Sequence, residues 1–133
     1  MNAKRNAQGI GDLTPAQIEI LEIVWARKEV SVAEVVEALS ASRPIARNTV
    51  QTMLSRLHER GWLRCDTADK VHRFSAAMPR KKVMAGLARK LADTLFKGSS
   101  SGLVSALIDA ESLTPAEAEK IRVLIANAQR KPK

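Results

Sequence analysis

Apolar residues recur at helical spacing along most of the first sixty positions, with side chains at i, i+3, i+4 and i+7. This pattern predicts three helices, at about residues 14–28, 31–39 and 47–60. Between the second and third, Pro44 disfavours helical backbone at the residue before it, which predicts a turn. The apolar stripes of three such helices would together cover one small core.

Local start and stop signals support these three helices. Thr14 with Gln17, and Ser31 with Glu34, are both typical of capping boxes, in which two side chains bond to free backbone groups at a helix start. Gly61 follows the third helix and is expected to take the left-handed conformation that ends many helices. The chain therefore specifies helix ends as well as helix faces.

Apolar and polar residues alternate at 62–66 and at 71–75, which predicts two strands joined by a turn at 67–70. Three helices followed by a hairpin indicate a mainly α fold with a small β wing, the winged helix-turn-helix. We expect this domain over residues 12–78, after a flexible N-terminal arm at 1–11.

A second organisation begins at Pro79. A helix with an apolar residue at every fourth position is followed by a break at 98–102, a short apolar helix at 103–108 and a last helix from Thr114. These helices are too few to enclose a core alone, so we expect residues 79–133 to be a helical dimerisation domain. The residues expected at the dimer contact are Val83, Leu87, Leu91, Leu95, Leu103, Leu107, Ile121, Leu124 and Ile125.

The third helix has two unlike faces. Its apolar stripe is Val50, Met53, Leu54 and Leu57, whereas the opposite face carries short amide and hydroxyl side chains. Such groups donate and accept hydrogen bonds without carrying charge, which suits them to base edges in the major groove of DNA. The candidate base-reading residues are Asn48, Thr49, Gln51, Thr52 and Ser55.

Charge favours an anionic partner, because the formal net charge is +8 and the sequence pI is about 10.2. Residues 10–42 carry two basic and six acidic side chains, whereas residues 43–78 carry seven basic and three acidic ones. This asymmetry predicts an oriented docking face, and the few aromatic residues favour duplex over single-stranded nucleic acid. The candidate phosphate and wing contacts are Arg47, Arg56, Arg60, Lys70, His72, Arg73, Arg80, Lys81 and Lys82.

Other functional classes find little support. No catalytic motif or phosphate-binding loop is present, and the single cysteine, Cys65, excludes an internal disulfide. Neither His58 nor His72 completes a zinc-binding spacing with it. We therefore expect no enzyme activity, metal or cofactor, no membrane insertion and a cytoplasmic location.

With these residues in view, the chain resembles the penicillinase-repressor family of bacterial winged-helix regulators, which includes copper-responsive relatives. The resemblance is carried by the apolar pattern of 13–25, by S-V-A-E-V-V-E-A-L at 31–39 and above all by N-T-V-Q-T-M-L-S-R-L-H-E-R-G-W-L at 48–63. It implies homodimers that bind double-stranded operator DNA, with base contacts from Asn48, Thr49 and Gln51 and a backbone contact from Arg56. The copper-responsive members have a C-terminal cysteine cluster, which this chain lacks.

The resemblance also implies a means of release. Family repressors are cut at an Asn-Phe bond in the C-terminal region through a membrane-sensor protease pathway, and the matching bond here is Ala106–Leu107. The chain departs from the family at this bond.

Together these observations predict a dimeric, sequence-specific repressor acting on a dyad-symmetric operator. Two alternatives stay open at this stage: a nonspecific architectural DNA-binding protein and a winged-helix module that binds another protein.

Overall fold

A computed structural model describes residues 13–130; the predicted N-terminal arm, residues 1–11, lies outside this range. The described helices are α1 (Pro15–Arg27), α2 (Val32–Ser40), α3 (Arg47–Glu59), α4 (Arg80–Leu95), α5 (Ser100–Asp109) and α6 (Pro115–Arg130). The strands are β1 (Glu29–Val30), β2 (Leu63–Asp66) and β3 (Arg73–Ala76). Helices α1 to α3 and a β wing confirm the predicted winged-helix fold.

Both predicted capping boxes are present. At α1, the Gln17 N–H donates to Thr14 Oγ1 over 3.1 Å, and the Thr14 N–H donates to Gln17 Oε1 over 3.0 Å. At α2, the Glu34 N–H donates to Ser31 Oγ over 3.2 Å, and the Ser31 N–H donates to Glu34 Oε1 over 2.9 Å. These bonds satisfy backbone donors that have no partner within the helix and so fix where each helix begins.

Helix α3 ends as Gly61 predicts. Gly61 has φ 90°, its N–H donates to the His58 carbonyl, and the next N–H, of Trp62, donates to the Leu57 carbonyl over 2.9 Å. This is the Schellman arrangement, which a residue without Cβ adopts with least strain. Leu57 and Trp62 are both buried, and the turn between them leads the chain from α3 into β2.

The sheet has a strand that the sequence pattern missed. Residues 29–30 fall between the first two predicted helices and form β1, which pairs antiparallel with β3 so that Val30 lies opposite Phe74. The described sheet therefore has three strands in the order β1-β3-β2. Two residues are too short a stretch to show alternation, and their pairing depends on a strand more than forty residues later in the chain.

The hairpin is also shifted from its predicted bounds. Strand β3 begins at Arg73 rather than at Val71, and Val71 is 55% exposed in the connection between the strands. Trp62, predicted as the first residue of β2, is buried just before that strand begins. Apolar alternation located the hairpin but did not define its tip.

One hydrophobic core serves the first part of the chain. It joins α1, α2 and α3 to the sheet and extends to α4, whose Val83 is 1% exposed and whose Leu87 packs against it. The buried members are Ile20, Leu21, Val24, Val30, Val35, Leu39, Val50, Leu54, Leu57, Trp62, Leu63, Phe74 and Val83. The side chain of Val83, one of the residues expected at a dimer contact, is enclosed by its own chain in this core.

The chain divides into two compact units between Lys90 and Leu91, within α4. In the second unit, α5 begins at Ser100, earlier than expected, because the Gly102 N–H donates to Ser99 Oγ over 2.8 Å and so caps the helix. The predicted break at 98–102 is thus shorter, with Gly98 at φ 82° and Ser99 as the cap. Helix α6 starts as predicted, with Thr114 Oγ1 accepting from the Glu117 N–H over 3.1 Å.

Candidate nucleic-acid interface

The outward face of α3 forms a polar surface depression. All of its lining residues belong to this one helix and are exposed. They are Asn48, Gln51, Thr52, Ser55, Arg56 and Glu59. Four of the five candidate base-reading residues therefore lie side by side on one surface.

The inward side of α3 explains why this face is held in place. Val50, Leu54 and Leu57 are each 0% exposed and lie in the core. Side chains buried at these positions fix the rotation of the helix about its axis, since any other rotation would expose them to water. The polar face is consequently a rigid surface rather than one side of a loosely attached helix.

Thr49, the fifth candidate, is exposed but does not line this depression. It lies in the first turn of α3, where its N–H donates to the Ala46 carbonyl over 3.1 Å. Ala46 is the N-cap residue and supplies no side-chain cap. The first turn of α3 therefore has no side-chain cap, and an uncapped helix start of this kind is suited to an anion.

A second depression joins α2, α3 and the wing. From α3 it takes Arg47 and Gln51, and from the β2–β3 connection it takes Lys70, Val71 and His72. The remaining lining residues come from the start of α2 and are Ser31, Val32 and Ala33. The tertiary structure thereby brings Arg47, Lys70 and His72 to one groove next to a base-reading candidate, Gln51.

Other predicted phosphate contacts are engaged by carboxylates. The Arg80 guanidinium donates to both oxygens of Glu22, over 2.8 and 3.0 Å. These hydrogen bonds lower the pKa of Glu22 and raise that of Arg80. Arg80 was expected to meet DNA phosphate, and in the structure the anion beside it is Glu22 of α1.

Arg73, another expected phosphate or wing contact, lies near two carboxylates. Its Nη1 lies 3.3 Å from Glu34 Oε1, and its Nε lies 3.9 Å from Glu29 Oε1. The pKa of Glu34 is lowered first by the Ser31 N–H and then by the charge of Arg73. The wing strand is therefore tied to α2 and β1 through this arginine.

Three glutamates of the acidic sector thus have a structural use that the charge pattern did not reveal: Glu19, Glu22 and Glu34. Glu19 also holds an arginine, accepting from Arg43 over 2.8 and 3.2 Å, and these bonds lower the pKa of Glu19. The remaining basic candidates, Arg56, Arg60, Lys81 and Lys82, have exposed side chains.

Cys65 and the two histidines do not converge on a site. Cys65 is half-buried against the core, and the His58 ring meets Phe74 edge-on, with the centroids 6.5 Å apart. Within residues 13–130, no group of three or more His, Cys, Asp and Glu side chains could hold a metal ion. In the same range, no helix combines the length and apolar character needed to cross a lipid bilayer.

The second unit carries most of the residues expected at a dimer contact, and most are exposed. Leu91, Leu95, Leu107, Leu124 and Ile125 are between 40% and 66% exposed. Leu103 and Ile121 are half-buried, and the Ala106–Leu107 bond lies inside α5.

Comparison with known proteins places this architecture in a family. The sequence profile of the penicillinase repressor matches residues 13–127. The transcriptional regulator BlaI of Mycobacterium tuberculosis is 35% identical over 94 residues, which cover 70% of this chain and 64% of that protein. The methicillin resistance regulatory protein MecI of Mammaliicoccus sciuri is 20% identical over 114 residues, covering 86% of this chain and 93% of that protein.

The fold also matches a solved structure. A mutant of MarR from E. coli aligns with a TM-score of 0.52 at 16% identity, covering 97% of this chain and 91% of that one. At this identity the likeness concerns the winged-helix fold alone. The family match, which spans nearly all of the described residues, carries the assignment: this chain belongs to the penicillinase repressor family of DNA-binding transcriptional repressors, which are not enzymes.

Proposed function

We propose that this protein is a homodimeric repressor that reads a dyad-symmetric operator through the polar face of α3. The observation that carries the proposal is the depression formed by Asn48, Gln51, Thr52 and Ser55, four exposed uncharged side chains on a helix whose other side is buried. From Asn48 to Ser55 the helix rises about 10 Å at about 1.5 Å per residue. That length matches about three base pairs at about 3.4 Å each, a reasonable centre for a half-site.

The groove between α2, α3 and the wing supports a backbone contact beside these base contacts. Arg47, Lys70 and His72 line it together with the first residues of α2. We propose that a DNA phosphate occupies this groove while Gln51, on its rim, reaches a base edge. Phosphate contacts orient a protein on the duplex, and base contacts then provide sequence preference.

The exposed apolar surface of the second unit supports self-association. Its described helices leave eight large apolar side chains at least 38% exposed. They are Leu91, Leu95, Val104, Leu107, Ile108, Val123, Leu124 and Ile125. A second copy of the chain that covered these side chains would remove them from water, which favours a dimer. A two-fold dimer would present two α3 helices to the two half-sites of an operator. We expect the half-site centres to be one or two helical turns apart, at about 34 Å per turn.

Release by proteolysis is the part of the proposal that rests on the family alone. The matching bond, Ala106–Leu107, lies in the interior of α5, so this helix must open locally before a protease can bind the chain in extended form. Detection of a fragment that begins at Leu107, in cells carrying the sensor protease and its inducer, would support this step. An intact chain under those conditions, when a family repressor with an Asn-Phe bond is cut, would contradict it.

The experiment that tests DNA reading compares Gln51→Ala with Lys70→Ala on an operator selected from a random duplex pool. Loss of the Gln51 amide should relax base preference at one position by about 1 to 3 kcal/mol. Loss of the Lys70 charge should weaken binding to selected and random duplexes alike and flatten the salt dependence by about one unit of slope.

Equal losses on both duplexes for both variants would contradict the assigned roles. Equal affinity of the unsubstituted protein for both duplexes would favour an architectural DNA-binding protein instead. Absence of binding to either would favour the protein-interaction alternative.

A further inference from the structure

Glu59 is a carboxylate on the face that we propose reads DNA. It is the last residue of α3 and lines the same depression as Asn48, Thr52 and Ser55. The other charged residue of that depression, Arg56, would attract phosphate, whereas Glu59 would repel it. Its presence there needs an explanation that the phosphate contacts do not give.

The carboxylate of Glu59 is not used to hold the fold together. It is exposed, and no side chain among residues 13–130 forms a hydrogen bond or ion pair with it. Three other glutamates of this unit, Glu19, Glu22 and Glu34, each hold an arginine from another element. Glu59 has no comparable structural role.

Its position is unfavourable for the helix itself. A negative charge in the last turn faces the negative end of the helix dipole, and acidic residues stabilise the opposite end. Glu59 thus lowers both the stability of the helix and the electrostatic attraction to DNA of any sequence. A residue with these two costs is expected to make a selective contact.

The reach of α3 suggests where this contact lies. Glu59 is about 6 Å further along the helix axis than Ser55, at about 1.5 Å per residue. This corresponds to about two base pairs at about 3.4 Å each, so Glu59 lies at one end of the stretch that α3 spans, which we call its outer end. An ionised carboxylate only accepts hydrogen bonds, and in the major groove the amino group of cytosine is its usual donor.

We propose that Glu59 is a specificity-determining residue, which accepts a hydrogen bond from a cytosine amino group at an outer base pair. The carboxylate repels the phosphates of every duplex, and only a duplex with cytosine at that position offers the hydrogen bond that offsets this repulsion. This inference rests on the proposed function and extends it to a named position. It assigns Glu59 the opposite electrostatic effect from Arg56 on the same surface. The result is a lower affinity for random DNA and a larger ratio of operator to random binding.

The test replaces Glu59 by Ala and uses Asp109→Ala as its matched control. Asp109 is likewise the exposed last residue of a helix, α5, so both substitutions remove one negative charge from a helix C-terminus. Binding of labelled duplexes, one random and one selected by the unsubstituted protein, is measured by fluorescence anisotropy at several salt concentrations. Each variant is also used to select sequences from a random pool.

We expect Glu59→Ala to bind random duplex at least threefold more tightly, with a salt slope steeper by up to about 0.9. We expect its selected sequences to lose the cytosine preference at one outer position, while Asp109→Ala changes neither quantity. Equal effects of the two substitutions would overturn the proposal, because net charge alone would then explain them. Retention of every base preference by Glu59→Ala would overturn it as well.

The result also separates this inference from the proposed function. If the unsubstituted protein prefers an operator and Glu59→Ala keeps the same preference, only the role of Glu59 is wrong. If the unsubstituted protein shows no preferred sequence, both proposals are wrong. Thermal unfolding of Glu59→Ala should show stability equal to or above that of the unsubstituted protein, since an unfavourable dipole interaction is removed.

Discussion

The two compact units differ in how far their apolar side chains are buried. In the first, thirteen hydrophobic residues form one buried cluster that reaches from α1 to Val83. In the described part of the second, Ala92 is the buried hydrophobic residue, and eight larger apolar side chains are substantially exposed. Both units have similar helical patterns in sequence, so the difference teaches that periodicity identifies an apolar stripe but not what covers it.

This difference divides the expected roles. The first unit has what it needs to hold α3 in one orientation as a single chain. The second unit exposes the surface that a partner would cover, which is the physical basis for proposing a dimer. Substitutions at equivalent apolar positions should therefore affect unfolding in one unit and association in the other.

The largest expected effect is on the first unit. Leu54→Ala should lower the free energy of unfolding by about 2 to 5 kcal/mol, because it leaves a cavity in a fully buried cluster. Urea unfolding followed by circular dichroism at fixed protein concentration measures it. Ser55→Ala, the exposed neighbour, is the control and should change stability by less than about 0.5 kcal/mol. Similar values for the two variants would contradict the assignment of Leu54 to the core.

The second effect concerns association. Leu124 is 66% exposed, so Leu124→Asp should leave the helices formed while it weakens the proposed dimer at least tenfold, or about 1.4 kcal/mol. Sedimentation velocity over a range of concentrations measures the change. Gln129→Asp places the same charge at another exposed position of α6 and serves as the control. An unchanged dimer in Leu124→Asp would exclude this residue from the interface.

A smaller effect is expected from backbone strain at the end of α5. Glu111 has φ 57°, and its N–H donates to the Ile108 carbonyl. Glu111 therefore occupies the left-handed position after a helix end that glycine usually takes. Glu111→Gly should raise the free energy of unfolding by about 0.5 to 1 kcal/mol. Lys120→Gly, inside α6, should lower it by about 1 kcal/mol. Thermal unfolding of both variants tests the sign, and a loss of stability in Glu111→Gly would refute the strain argument.

The smallest expected effect is a pH-dependent change in the free energy of unfolding of the first unit. Hydrogen bonds from Arg80 lower the folded-state pKa of Glu22, so the pair stabilises the fold above the unfolded-state pKa. The contribution is lost as the pH falls through the lowered folded-state pKa. Glu22→Gln should therefore be slightly less stable than the unsubstituted protein at pH 7, and this difference should disappear in acid.

The pair is largely exposed, with 55% of the Arg80 side chain and 43% of the Glu22 side chain accessible, so solvent screening keeps the effect small. Glu37→Gln is the control, because no side chain of residues 13–130 pairs with that exposed carboxylate. A stability difference for Glu22→Gln that stays constant from pH 7 into acid would show that the ion pair does not contribute.

Much of the candidate site could be predicted from local patterns. The stripe of Val50, Leu54 and Leu57 and the glycine stop at Gly61 fix both the inward face and the end of α3. The exposed positions of Asn48 and Gln51 follow from that stripe by helical geometry. These signals lie within a few residues of one another, and for this reason they can be predicted from the sequence.

Other parts depend on groups that are distant in the chain. The carboxylate that pairs with Arg80 belongs to Glu22, which is 58 residues away in the chain. The strand that pairs with residues 29–30 is β3. A charge pattern shows which side chains are ionised but not which ones meet. The charge pattern therefore did not show that Arg43, Arg73 and Arg80 pair with glutamates of the same chain.

By itself, the sequence determined the helices, the capping boxes of α1 and α2, the location of the hairpin and the polar face of α3, because these follow from short-range hydrogen bonding and the 3.6-residue period. Only the tertiary structure decided that Val83 lies in the first core, that β1 completes the sheet, and that Arg47, Lys70 and His72 share one groove. The physical reason is that burial and ion pairing depend on which surfaces meet in space, and the meeting surfaces here come from separate segments of the chain.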